Sequence, residues 1–158
     1  MSLVLSSSAF VDGGKIPSRF TCEGEDLSPD LSWSGVPETA RSLVLIVDDP
    51  DAPDPKAPKM VWDHWLLYNL PPSSSGLVAG AQLPDLPPVT RLGTNSWGRS
   101  AYGGPCPPVG RHRYFHILYA LDAELPDLSL PDKNGLLSAM EGHILAHVEL
   151  VGTYEKRG

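Results

Sequence analysis

Positive charge is scarce in this 158-residue chain: 12 lysines and arginines stand against 19 aspartates and glutamates, a formal charge of −7. Nonspecific binding to nucleic acid or to anionic membrane surfaces draws on a summed positive field, so neither partner is expected. Long apolar runs are missing as well. A stretch such as Leu43 to Val47 falls far short of the roughly 20 residues that span a bilayer, and no integral membrane association is expected. No cation precedes Lys15, so the start lacks the charged segment of a signal peptide. A cytoplasmic location is the default, although a removed leader of a secreted or periplasmic form would leave no trace. Cysteine is nearly absent: Cys22 and Cys106 lie far apart without metal-type spacing, and cysteine usage alone favours two unpaired thiols. No internal repeat, low-complexity linker or run of one charge marks a boundary, so residues 1–158 read as one domain.

Helical periodicity is thin too. Leu136, Leu137 and Met140 sit at helix spacing, with Asp132 or Asn134 to cap the start and Gly142 to end it, which predicts one short helix late in the chain. What the chain has in excess is punctuation, 17 prolines and 15 glycines. That argues against a helical bundle, and the apolar and aromatic runs between them argue against disorder. Residues 43–49 form a continuous apolar run ending in two carboxylates, the pattern of a strand buried on both faces. Residues 62–70 are aromatic and apolar. Residues 112–121 alternate, with Phe115, Ile117, Tyr119 and Leu121 on one face and His112, Tyr114 and His116 on the other. Residues 144–154 alternate Ile144, Ala146, Val148 and Leu150 against Leu145, His147, Glu149 and Val151. No proline falls inside these four segments, and shorter strands are expected around Phe10, Trp33 and Trp97. The pattern predicts an all-β sandwich with Greek-key connections.

Two loop segments concentrate the chemistry. Residues 48–55 carry four carboxylates stiffened by prolines, and such a run repels itself unless donors surround it. Residues 102–114 run from Tyr102 through Pro107 and Pro108 to Arg111, His112, Arg113 and Tyr114. If the strands ending at Asp49 and starting near His64 are antiparallel neighbours, both residues reach one sheet edge. Trp62 and His64 share a face, as do His112 and Tyr114. A carboxylate against an imidazole favours the protonated ring, so two histidines held in this way present N–H donors to an anion. Arg113 reads as a structural partner of the acidic loop. Tyr68, Tyr119, Trp33, Trp65 and Trp97 read as core, and His116, His143 and His147 as surface or packing residues.

Asp49-Pro50-Asp51-Ala52-Pro53, Trp62-Asp63-His64-Trp65 and Gly110-Arg111-His112-Arg113-Tyr114 resemble the signature regions of the phosphatidylethanolamine-binding protein family, which includes the Raf kinase inhibitor proteins. The stretches from Phe20 to Pro29 and from Gly103 to Pro108 further resemble its bacterial and archaeal branch, often called YbhB/YbcL-like. The resemblance implies a β-sandwich of two antiparallel sheets. It also implies a small edge cavity for phosphate-like anions or phospholipid headgroups, lined by Asp49, Asp51, Trp62, His64, Pro107, Pro108, His112 and Tyr114, and a cis Ala52-Pro53 bond. Eukaryotic relatives add a C-terminal helix beyond the position of Tyr154, so a more open mouth, or one closed by another loop or a second subunit, is expected here. Cys106 stands where those relatives have a glycine.

The function expected on this basis is noncatalytic binding of a small anion or a phosphorylated partner, with a kinase or serine protease as inhibited target, a homodimer as the assembly and no cofactor. The alternative is a hydrolase using Asp49 with His64 or His112 and Cys106 or a serine as nucleophile. No Gly-x-Ser-x-Gly elbow, phosphate-binding glycine loop or His-Glu-x-x-His pair supports it. A metal held by Asp49, Asp51, His64 and His112 is a third reading, which the spacing does not demand.

Overall fold

The apolar run that begins at Leu43 forms the centre of the larger of two sheets. The computed structural model describes residues 2–157, with every side chain among them except that of Leu83. The strands are β1 (Val4–Ser6), β2 (Leu31–Ser34), β3 (Ser42–Ala52), β4 (Met60–Leu70), β5 (Gly76–Leu77), β6 (Arg91–Leu92), β7 (Arg111–Leu121) and β8 (Ile144–Glu155), with one helix, α1 (Lys133–Met140), before the last. A three-stranded sheet in the order β1-β2-β5 faces a five-stranded sheet in the order β6-β4-β3-β7-β8, and all pairings within both are antiparallel. Among the described residues no helix is long and apolar enough to cross a membrane.

Strand β3 is buried on both faces for two reasons. Leu43, Leu45 and Val47 join Leu5, Leu31, Trp33, Leu67 and Leu118 between the sheets. Val44 and Ile46 pack on the opposite side with Leu66, Tyr68, Leu136 and Met140, under α1. The helix starts where the sequence predicts: Asp132 Oδ1 accepts the Gly135 N–H at 2.8 Å, and Gly142, at φ +82°, follows its end. Lys133, in its first turn, reaches Asp48 at 3.2 Å and Asp63 at 2.8 Å. Those two aspartates are register partners across β3 and β4, so a single ammonium offsets their mutual repulsion and ties the helix to the sheet.

Three expectations require correction, while strand β7 keeps the predicted alternation, with the face of His112, Tyr114 and His116 buried and Phe115 and Ile117 half-buried. Histidines occupy an interior face because each ring finds acceptors there, as with His116 Nδ1, 3.2 Å from both Tyr114 O and Leu150 O. Strand β3 contains Pro50, at a register irregularity where no ladder N–H is needed. Trp33 lies in a strand, but Phe10 and Trp97 lie outside any strand or helix. Finally, Cys22 and Cys106 form a disulfide, with Cα atoms 5.4 Å apart. Neighbouring bonds bring them together: Cys22 N–H donates to Pro105 O at 3.1 Å, Gly104 N–H to Asp26 Oδ1 at 2.9 Å and Tyr102 O–H to Phe20 O at 3.0 Å. Segment 20–26 is thereby stitched to segment 102–106.

Candidate functional site

The site is assembled by parity and one irregularity. Asp49 pairs with Trp62 across β3 and β4, and Val47 pairs with Trp65 while Asp48 pairs with Asp63, leaving His64 as the additional residue of a β-bulge. A bulge turns consecutive side chains toward the same side of the sheet. His64 and Trp65 are both buried as a result. From β7, alternation brings His112 and Tyr114 to the same interior end.

The centre of the cluster is a contact between an imidazole and a carboxylate. His112 Nδ1–H donates to Asp49 Oδ2 at 2.6 Å. Its other nitrogen lies 2.8 Å from Val109 O and 3.1 Å from Pro53 O. Carbonyls and carboxylates only accept, so both nitrogens suit a ring carrying two protons. The His112 side chain is 0% exposed, which makes it a strut joining β3, the cis Ala52-Pro53 turn and the loop before β7. Burial raises the Asp49 carboxyl pKa, against the opposing pull of His112 and of the Asp51 N–H that it accepts at 2.8 Å. Asp51 moves the other way: the Arg113 guanidinium grips it through Nε at 3.0 Å and Nη2 at 2.9 Å and lowers its pKa. Arg113 is thus the structural partner that the sequence suggests.

His64 departs from the expected pattern. It has no carboxylate; its Nδ1–H donates to Gly103 O at 2.7 Å. Burial lowers its pKa to about 4, so the ring is neutral near pH 7 and its free Nε2 is an acceptor. The expectation of two cationic histidines therefore fails at His64. The rings of His64 and Tyr114 meet edge to face at 5.3 Å, and those of His112 and Tyr114 stack at 6.4 Å. Tyr114, 1% exposed, has a hydroxyl without a hydrogen-bond partner. Burial, then the nearby Asp49 charge, pushes that phenol far above its ordinary range.

Sequence reasoning places Trp97 in the core, but it is 38% exposed and stands at the rim, edge-on to His64 at 4.9 Å and to Trp62 at 5.6 Å. It is held there by Asn95, whose Oδ1 accepts the Trp97 and Arg99 N–H groups at 3.0 Å, while its Nδ2 donates to Ala101 O at 2.8 Å and His64 O at 3.2 Å. Gly103 is required beside it, because a Cβ there would collide with the Trp97 ring. Gly103 opens one of the stretches that carry the family resemblance, whereas Asn95 has no sequence signal beyond its place near two glycines. Of the two expected walls, Pro107 is buried and Pro108 exposed.

A cleft of about 340 Å³ beside Trp65 and a depression of about 410 Å³ around Asn69 and Arg91 involve none of the eight expected residues. Two alternatives lose their supports: Cys106 is spent in the disulfide, and among the described residues no serine or threonine hydroxyl hydrogen-bonds a histidine ring. Nor do three His, Cys, Asp or Glu side chains converge as a metal site among those residues.

Residues 6–155 match the family model described as phosphatidylethanolamine-binding protein. A protein of Methanothermobacter thermautotrophicus, described only as a UPF0098 protein, is 50% identical over 155 residues, covering 96% of this chain and 98% of its own. Two solved structures superpose with a TM-score of 0.88. The Chlamydia trachomatis homologue of phosphatidylethanolamine-binding protein is 45% identical, with 99% of each chain covered. YbcL of E. coli is 29% identical, covering 99% of this chain and 100% of its own. Agreement that extends from the first strand to the last is more than a shared scaffold, and the chain belongs to the phosphatidylethanolamine-binding protein family.

Proposed function

We propose that this protein is a noncatalytic binding protein whose Asp49, His64, His112 and Tyr114 cluster accepts a small phosphate-like anion, either free or as the headgroup of a phospholipid. The observation that carries this reading is the Tyr114 hydroxyl, buried near the Asp49 carboxylate but without a hydrogen bond of ordinary length. A buried donor left unmade costs about 1–3 kcal/mol, so such a group waits for an acceptor. A monoprotonated phosphate matches the polarity of the site: its oxygens accept from Tyr114 and its P–OH donates to the neutral His64 Nε2. His112 and Asp49 fix the frame, and Trp62 with Trp97 provides an aromatic rim.

The ligand class is tested by calorimetry or NMR with inorganic phosphate, phosphoethanolamine and sulfate. Phosphate and phosphoethanolamine are expected to bind and sulfate, which carries no proton near neutral pH, to bind more weakly. Loss of binding in His64→Ala and in Tyr114→Phe supports the assignment. If both variants bind phosphate as the parent does, the cluster is not the site.

A further inference from the structure

The cleft beside Trp65 plays no part in the anion cluster, yet it has the makings of a ligand site. We propose that it binds a small apolar amine. Its volume, about 340 Å³, falls within the range of roughly 300–1,000 Å³ typical of small-molecule sites. Leu27, Trp65, Ala81, Leu86 and Leu92 line it together with Tyr102, whose ring meets Trp65 edge to face at 5.5 Å. The Tyr102 hydroxyl is committed to Phe20 O.

One buried polar function remains open in this apolar setting, and an exposed carboxylate stands beside it. Ser28, 2% exposed, lines the cleft with a buried hydroxyl that has no partner. Native structures rarely leave such a group uncovered. Asp26, itself exposed to solvent, spends Oδ1 on the Gly104 N–H, which leaves its second oxygen for a ligand. No lysine, arginine or histidine lines the cleft. An anionic ligand would therefore meet Asp26 without compensation. An ammonium group reverses that balance: it donates to the free Asp26 oxygen and to Ser28 Oγ, and its apolar body lies against Trp65 and Leu92. The charge preference is opposite to that of the anion cluster, so the two sites can be told apart on one sample.

Amide NMR titration of the full chain with phenethylamine, and with hydrocinnamate as the acid of similar shape, tests the proposal. The amine is expected to shift the amides of Leu27, Ala81 and Ala101 saturably, with a Kd of about 1 mM or tighter. The acid should bind at least about tenfold more weakly. Asp26→Asn keeps an oxygen for the Gly104 N–H and should lower the amine affinity roughly tenfold, and Ser28→Ala about threefold. Ala81→Leu, which fills the cleft, should abolish the shifts. Unsaturable shifts, equal binding of acid and amine, or parental affinity in both Asp26→Asn and Ala81→Leu would overturn it. Phosphate added to the same sample should move His64 and Tyr114 and leave the Ala81 amide in place; failure of that arm alone bears on the anion cluster and not on the cleft.

Discussion

His64 and His116 have no carboxylate beside them, and burial lowers both pKa values from 6.5 to about 4. The unfolded chain therefore takes up protons that the folded chain refuses. The contribution of each neutral ring is intact above pH 6.5 and is lost as pH falls toward 4. Linkage puts the loss at roughly 3 kcal/mol per histidine. Asp48 and Asp49, raised chiefly by burial, act in the opposite sense, so the parent must be compared with a variant lacking one ring. His116→Gln should unfold in denaturant with a flatter pH dependence than the parent across this window, and equal slopes would refute the assignment. Tyr114→Phe removes a hydroxyl that makes no hydrogen bond of ordinary length in the protein, although the Asp49 carboxylate lies near it. Its melting temperature should match or exceed the parental value even as phosphate binding weakens, whereas a clear loss of stability would show that the hydroxyl has a protein partner.

At the scale of elements, α1 is attached by one charge. Lys133→Met leaves Asp48 and Asp63 facing each other, part-buried, across β3 and β4. The expected cost in chemical denaturation is about 3 kcal/mol, largely recovered when Asp63→Asn is added. Asp132→Ala should cost only about 1 kcal/mol, the value of an N-cap. The elements also show how far the sequence could be read. The run from Leu43 marked a doubly covered strand, and the cap and glycine marked α1, because hydrophobic period and end signals are local. Alternation separated the two faces of β7 without telling which is buried: whether a histidine is buried depends on carbonyls from other strands, and these leave no trace beside it in the chain. Parity and strand pairing anticipated the meeting of Asp49, His112 and Tyr114, whereas His64 reaches them through a bulge that parity does not give. Trp97 did not, since the Asn95 turn that places it has no period.

For the whole molecule, the disulfide is a covalent tie that composition failed to show. Its ends lie 84 residues apart, and closing so long a loop removes unfolded-state entropy worth about 4 kcal/mol. Reduction, or the double replacement of Cys22 and Cys106 by serine, should lower the melting temperature accordingly, and an unchanged melt would show that the surrounding hydrogen bonds hold the segments unaided. Pairing stayed illegible because it depends on the global path of the chain. The bulge at His64 has the same global origin and a different consequence. It is one residue of surplus length in β4, and it sets the phase of everything before it. Deleting residue 64 would even the ladder between Val47 and Asp48 at the cost of the ring, and inserting a residue beside it would turn Trp62 and Asp63 to exchanged faces, Asp63 away from Lys133. Along this edge, chain length is constrained more strictly than side-chain identity, and changes in length should be tolerated in the loops on either side long before they are tolerated here.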